Sequence, residues 1–247
     1  MPWEIRHVDG HLLYLCAATC AKDAVHLAKE EGVDLAGAQL AGADLHQADL
    51  EDAELAGANL AGARLDGANV EDADLSGARL DDVSARGANF ENATLAGASL
   101  ARANLDGTNF EKADLEAACL EGAHAARANF EHSTLDDLRA RGAVFTRSNL
   151  EKCDVRNADF SEADLSGANL EKCDLRETRF VGAKLAGANI ERADLRGADL
   201  SRADLREANL DRCDLDGACL EGSDTTGATM WRVSGTPRGG GAGGPDR

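Results

Sequence analysis

The chain has 247 residues, with 45 acidic and 26 basic side chains and a formal net charge of −19. Such strong acidity argues against direct binding to nucleic acid or to an anionic membrane surface, because both repel it. The sequence has no apolar run of about 18 residues that would predict a transmembrane helix, and its N-terminus lacks the apolar core of a signal peptide. Seven cysteines without paired spacing fit a reducing compartment, so we expect a cytoplasmic protein.

The first segment, residues 1–32, predicts a small N-terminal cap. Residues 3–16 alternate around Asp9-Gly10, which predicts a β-hairpin with strands at 3–8 and 11–16. A helix should follow, with Thr19 as its N-cap, Val25 and Ala28 facing inward, and Gly32 as its stop. Such a cap would cover a strand edge at the start of the next segment.

From Leu35 to Met230 every fifth residue is apolar, with Thr225 as the one exception, over 40 consecutive positions. A small residue, usually Ala, stands two residues earlier, so the consensus is A-(D/N)-L-x-x. In a helix these apolar residues would not fall on one face, and the alternation of a β-strand matches the pattern only within one unit. A chain that coils around an axis, with one five-residue unit forming each side of the coil, satisfies the pattern. All six phenylalanines occupy the central position and are predicted core residues: Phe90, Phe110, Phe130, Phe145, Phe160 and Phe180.

This array resembles the pentapeptide repeat family over residues 33–232. The resemblance implies an all-β fold, a right-handed, four-sided parallel β-helix of about ten coils, each built from four of the five-residue units. The sequence itself supports the number four, because unusual residues align at steps of four units. Asn recurs from Asn69 to Asn209, and Glu recurs from Glu51 to Glu191. Ala85, Ala125 and Ala140 replace the central Leu directly before a Phe unit, which indicates volume compensation within a coil.

The C-terminal end of the array has no predicted cap. Met230 and Trp231 close the last coil, and Trp231 is either a lid on the rod or part of a dimer contact. Residues 233–247 form a Gly-rich tail that we expect to be disordered. The oligomeric expectation is therefore a monomer or a homodimer joined end to end at the C-termini.

No motif in the sequence predicts catalysis. His7 and His11 could share one hairpin region, but no His pairs with Cys or another His at a metal-ligand spacing, so we interpret them as structural. Cys153, Cys173 and Cys213 take the inward small position and are interpreted as small core residues. No phosphate loop or nucleophile elbow is present. We therefore predict a protein that is not an enzyme, with no catalytic residue, cofactor or metal.

The charge is distributed unevenly along the array and around it. Residues 33–132 carry −13 and residues 133–232 carry −5. When the four sides are named by their first central residues, the sides of Leu35 and Leu50 hold −12 of that −13. These two adjoining sides form the acidic ridge, the predicted partner-binding surface. Its residues are Asp34, Asp49, Glu51, Asp52, Glu54, Glu71, Asp72, Asp74, Glu91 and Asp114.

The acidic ridge suggests a function in binding. Five coils span about 24 Å at a strand spacing of about 4.8 Å, or roughly one net charge per 2 Å, against one per about 1.7 Å of B-DNA. The resemblance implies that some family members mimic DNA and protect DNA gyrase from inhibitors. The most concrete hypothesis is an acidic DNA mimic that binds a type II topoisomerase. The alternatives are a scaffold or adaptor for another protein partner, with contacts on the near-neutral Leu40 and Leu45 sides, or a purely structural rod.

Overall fold

A computed structural model of the chain describes residues 3–239. Its elements are β1 (Trp3–Arg6), β2 (Leu12–Cys16) and α1 (Ala21–Glu30), followed by a long stack of isolated parallel bridges. β1 and β2 pair as an antiparallel hairpin. The hairpin is confirmed, with shorter strands than predicted, because residues 7–11 form its turn.

Helix α1 ends where the sequence predicts but begins one residue later. Cys20 is the N-cap, its Sγ accepting from the backbone N–H of Asp23, so the assignment of Thr19 as N-cap was wrong. The Thr19 hydroxyl instead donates to the carboxylate of Asp23. Gly32 follows the C-cap at φ 67°, a left-handed conformation that suits glycine. Val25 and Ala28 are buried, as predicted.

The cap covers the edge of the first coil. His7 pairs antiparallel with Ala38, and the backbone N–H of Val8 donates to Gly37 at 2.8 Å. The N–H of Gln39 donates back to the carbonyl of Arg6 at 2.6 Å. The hairpin therefore occupies backbone groups that an open first coil would leave unpaired.

The repeats stack at a step of four units, as the sequence predicts. Each residue before a central position pairs in parallel with its equivalent four units later, from Gln39 with Asn59 to Asp214 with Ser234. Four such bridges occur in every coil, so each five-residue unit forms one side. No helix among the described residues has the length and apolar character needed to cross a membrane.

The consensus follows from the hydrogen bonding of one unit, as residues 73–77 illustrate. The N–H groups of Asp74, Leu75 and Gly77 donate to neighbouring coils, and that of Ala73 closes the preceding turn. The remaining N–H, of Ser76, donates to Oδ1 of Asp74 at 2.8 Å. All five amides are thus satisfied, and the (D/N) of the consensus supplies the acceptor that the backbone lacks.

The interior holds one continuous column of aromatic rings. Phe90, Phe110 and Phe130 stack along one side with centroids 5.1 and 4.9 Å apart. The column then crosses through Phe145, 5.6 Å from Phe130, to the opposite side at Phe160, and a stacked contact follows with Phe180. All six rings are fully buried, as the sequence predicts. Ala125 and Ala140 lie one coil below Phe145 and Phe160, on the same sides.

Polar atoms at the inward small position are hydrogen-bonded to the backbone. The hydroxyl of Thr108 donates to the carbonyl of Ala85 at 2.7 Å. The thiols of Cys153, Cys173 and Cys213 likewise donate to carbonyls of the preceding coil, at 2.8 to 2.9 Å. Burial raises the pKa of the Cys213 thiol to about 12. These thiols are buried core groups, as expected.

The stack continues beyond the predicted end of the array. Ser234 pairs with Asp214, and Arg238 pairs with Cys219, one residue out of the four-unit register. Residues 234 and 238 therefore still pair with the coil below. The disordered tail was predicted to start earlier, at residue 233. Residues 240–247, the rest of that predicted tail, lie outside the described residues.

Candidate partner-binding surface

The acidic ridge begins beside the cap, where its side chains are most exposed. Asp49 precedes the turn after Leu50, Glu51 and Asp52 form that turn, and Glu54 follows it. All four are exposed, as is Asp34. The turn geometry therefore places a run of acidic side chains from the first coil and its successor on one edge.

The middle of the ridge repeats this arrangement one coil later. Asp72 is exposed, whereas Glu71 and Asp74 are half-buried. Among the described residues none of these three carboxylates has a basic partner within 4.0 Å, and the same is true of Glu51, Asp52 and Glu54. The side-chain amides of Asn69 and Asn89 donate to Glu51 and Glu71 at 3.3 and 3.1 Å, which orients them without neutralising them.

The ridge weakens at its far end. Glu91 is half-buried and lies 3.2 Å from the ammonium of Lys112, which also contacts Glu111. Asp114 is half-buried and accepts from the backbone N–H of Glu116. Glu91 is thus already partly neutralised, so the uncompensated charge lies mainly between Asp34 and Asp74.

The continuation of the Leu50 side is neutralised by a ladder of bases. The ammonium of Lys152 lies 3.0 Å from Glu131 and 3.1 Å from Glu151, and these carboxylates raise its pKa. Lys172 bridges the next pair, Glu151 and Glu171, in the same way. The glutamates of the second half therefore present little net charge to a partner.

The continuation of the Leu35 side forms an Asp–Arg zipper, which sequence reasoning missed. Arg176 and Arg196 bind Asp174 and Asp194 through two nitrogens each, and each guanidinium also approaches the aspartate of the following coil. The hydrogen bonds from Arg176 and Arg196 lower the pKa of these two carboxyls. The signal was the recurrence, at steps of four units, of Arg two residues after an Asp.

One base of the cap reaches the start of the ridge. The ammonium of Lys29, in the last turn of α1, lies 3.1 Å from Oδ1 of Asp49, and this hydrogen bond lowers the pKa of the Asp49 carboxyl. Lys29 also lines a small cavity of about 160 Å³ with Asp34, Asp52 and Glu54. The cap therefore neutralises one ridge residue and leaves the other acidic groups open to a partner.

Trp231 lies on the outside of the last coil. It is 54% exposed, and the guanidinium groups of Arg232 and Arg212 lie 4.0 and 5.4 Å from the ring centre. Its backbone N–H donates to the carboxylate of Asp211. Met230 is half-buried. Both alternatives for Trp231, a lid on the rod and a dimer contact, stay predictions.

The parallel bridges between coils and the hairpin that pairs with the first coil define a repeat solenoid with a capped first coil. A family model described as pentapeptide repeats (8 copies) matches residues 31–55, 53–92 and 88–124, and one described as a pentapeptide repeat region matches residues 143–220. Together they span more than half of the chain, which belongs to the pentapeptide repeat family. The fold of this family is a right-handed quadrilateral β-helix, and its members are generally non-catalytic.

Solved structures of the same family are similar to this chain at low identity. HetL from the cyanobacterium Nostoc sp. strain PCC 7120, involved in regulation of heterocyst differentiation, is 26% identical, with 85% of this chain and 93% of that chain covered and a TM-score of 0.34. QnrB1, a plasmid-mediated fluoroquinolone resistance protein, is 26% identical, with 72% and 89% covered and a TM-score of 0.39. No curated protein sequence matches the chain.

Proposed function

We propose that this chain is a cytoplasmic protein-binding solenoid, not an enzyme, whose acidic ridge docks into a basic groove that otherwise binds DNA. The first candidate for that groove is the DNA-binding surface of a type II topoisomerase, DNA gyrase. The protein would present this ridge on a right-handed, four-sided β-helix of about ten coils. By occupying the groove it would modulate the enzyme or protect it from inhibitors that act on its DNA complex.

The observation that carries the proposal is the run of carboxylates without basic partners on the first coils. The ridge holds −12 over five coils, or roughly one charge per 2 Å at a strand spacing of about 4.8 Å. The phosphates of B-DNA supply a similar linear density, about one per 1.7 Å. A groove lined by Lys and Arg at the spacing of phosphates would therefore meet comparable charge on this rod.

The contrast between the two halves also supports a directed surface. The same Glu ladder continues through the second half, but Lys152 and Lys172 neutralise it there. If acidity served only to keep the rod soluble, no difference between the halves would be needed. Docking should therefore use the end next to the cap and leave the C-terminal half free.

The direct test is a gyrase supercoiling assay with relaxed plasmid, with and without a quinolone, across micromolar concentrations of the protein. We expect inhibition of supercoiling, or protection from the quinolone, that falls steeply as salt is raised, because many charges form the contact. Absence of both effects would remove gyrase as the partner. A binding measurement that hardly responds to salt would favour the scaffold alternative on the Leu40 and Leu45 sides.

A charge-matched pair of variants separates the ridge from net charge. The first neutralises four ridge residues by Glu51→Gln, Asp52→Asn, Glu71→Gln and Asp72→Asn. Asn suits the left-handed conformation of residues 52 and 72, whose φ is 57° in both, so these changes preserve the backbone. The control makes an equal change of net charge on the other two sides.

The control variant carries Asp44→Asn, Asp66→Asn, Asp81→Asn and Asp82→Asn. We expect the ridge variant to lose at least about tenfold in affinity, equivalent to about 1.4 kcal/mol, while the control binds within a few-fold of the parent. Equal losses would mean that the partner responds only to total charge. Unchanged binding of the ridge variant would remove the ridge from the mechanism.

A further inference from the structure

The turn of the N-terminal hairpin brings together three potential metal ligands that alternate along the chain. Nδ1 of His7 lies 2.9 Å from Oδ1 of Asp9, and Nδ1 of His11 lies 2.6 Å from the same oxygen. One ligand atom from each residue lies within 4.8 Å of the other two. This cluster lies at the cap turn, apart from the acidic ridge.

The backbone orients the groups around this oxygen. The backbone N–H of His11 donates to Oδ1 of Asp9 at 3.1 Å, and the backbone N–H of Asp9 donates to Nδ1 of His7 at 3.2 Å. A metal ion bound by the three side chains would replace the direct contacts of the two imidazoles with that oxygen.

The fold holds one of the two imidazoles in place. A Cβ atom at Gly37 would lie 2.1 Å from Nε2 of His7, so the ring packs directly on this glycine. The neighbouring residue, Val8, donates its backbone N–H to Gly37. The first coil therefore supports the His7 ring and limits its movement.

The second imidazole is free to adjust. The side chain of His11 is 57% exposed. Its ring stacks on that of His7 with centroids 4.6 Å apart and an interplanar angle of 21°. Because this side chain is exposed, His11 can rotate to direct Nδ1 at an ion shared with His7.

We propose that His7, Asp9 and His11 form a binding site for a divalent first-row transition metal ion such as Zn²⁺. Two imidazoles and one carboxylate are the ligand types that Zn²⁺ takes, with bonds of about 2.0–2.2 Å. Mg²⁺ and Ca²⁺ prefer oxygen ligands alone and should not bind here. Three protein ligands leave a further position for water. The bound ion would fasten the hairpin turn that covers the first coil.

The test uses the full chain without an affinity tag, stripped of metal and then titrated with Zn²⁺ by calorimetry. A parallel titration with Co²⁺ is read by visible absorption, because thiolate ligands give strong charge-transfer bands and imidazole or carboxylate ligands do not. We expect one ion per chain without thiolate bands. Absence of Zn²⁺ binding, or Co²⁺ spectra that show thiolate ligation, would overturn the proposal.

Ligand variants locate the ion. His11→Gln and Asp9→Asn alter exposed side chains and should leave the fold intact. Each should weaken Zn²⁺ binding by more than about tenfold, since loss of an outer partner of a ligand already costs roughly 10–100-fold. The control is His124→Gln, another exposed histidine on the array. Binding by His11→Gln and Asp9→Asn as tight as that of the parent would contradict the assignment.

A pair of glycine variants tests the support of His7. Gly37→Ala would push the His7 ring from its place, whereas Gly42→Ala has the same positive φ with open space around its Cβ. We expect Gly37→Ala to weaken Zn²⁺ binding and Gly42→Ala to keep it. Equal binding by both variants would show that His7 is not a ligand. If Gly37→Ala does not fold, the two ligand variants still decide the question.

Discussion

The side-chain amide of Asn109 donates to Oδ1 of Asn89, one coil earlier, at 2.9 Å. Its own Oδ1 accepts from the backbone N–H of Glu111. Such Asn-to-Asn contacts recur through the stack from Asn69 to Asn209. Only Asn among the residues of the consensus position can donate to the coil below and accept from its own turn, because Asp has no donor.

We expect Asn109→Asp to destabilise the rod by about 1–3 kcal/mol, because it removes the donor to Oδ1 of Asn89 and places a half-buried carboxylate against that oxygen. Urea unfolding measures the loss. The matched control is Asn59→Asp, which still accepts from the backbone N–H of Ala61 but has Gln39 and Arg79 as its neighbours in the stack. Equal losses in the two variants would contradict the role of the ladder.

Overpacking of the interior should also be costly. Ala125 is fully buried one coil below Phe145, so Ala125→Leu should lose about 1–3 kcal/mol of unfolding free energy. Ala126→Leu adds the same volume to a half-exposed turn position and should change stability by less than about 0.5 kcal/mol. Thermal melts compare the two. A melt of Ala125→Leu at or above that of the parent would mean that the interior has room for the larger side chain.

The buried thiols should resist alkylation. With a pKa of about 12, Cys213 is a thiolate in only about one molecule in ten thousand at about pH 8, and burial also raises the pKa of Cys153 well above its usual value. Mass spectrometry after brief iodoacetamide treatment should find Cys20, which is exposed, labelled and these two unlabelled. Treatment in denaturant should label all seven. Rapid labelling of Cys213 in the native protein would contradict the packing described.

The Asp–Arg zipper should make the free energy of unfolding depend on pH in the acidic range. The pKa values of Asp174 and Asp194 are lower in the folded protein than in the unfolded chain, so the unfolded state binds more protons as the pH falls. Their contribution is present above the unfolded pKa, about 4, and is lost as the pH falls through the lower folded values. Because the pairs are partly exposed, each should contribute up to about 1 kcal/mol.

Arg176→Gln removes the arginine that binds Asp174 through two nitrogens, and it tests this dependence. We expect the variant to be less stable than the parent at about pH 7, with the difference shrinking towards about pH 3, where the carboxyl of the parent begins to be protonated too. Urea unfolding at both pH values measures it. The comparison variant is Arg139→Gln, which removes an exposed arginine with no acidic group within 4.0 Å among the described residues. A constant difference across pH would contradict the assignment.

The repeat was predictable because the residues of each five-residue unit determine the local structure of that unit. The Leu and Ala positions face inward, and the Asp or Asn position accepts the one N–H that the neighbouring coils do not. The step of four units was visible because the Asn ladder forms only when identical residues stack. The position of the acidic ridge followed from register alone, which is why its residues lie on two adjoining sides.

What could not be predicted depends on side-chain contacts outside the repeat. The ion pair of Lys29 with Asp49 requires the docking angle of α1, which no periodicity encodes. The stacking of Arg212 and Arg232 on Trp231 likewise depends on side-chain positions that the repeat does not fix. His7 and His11 flank a turn, and only the hairpin geometry turns both rings to Asp9.

The acceptor at the consensus position gives the rod a surface whose charge is independent of its architecture. Asp74 and Asn104 make the same bond to the N–H two residues on, so outside the Asn ladder one substitution changes a site between neutral and negative while the backbone stays the same. During evolution the charge pattern of such a rod could therefore change one substitution at a time, through variants that all keep the fold. Recognition of partners can diverge rapidly here while the scaffold is retained.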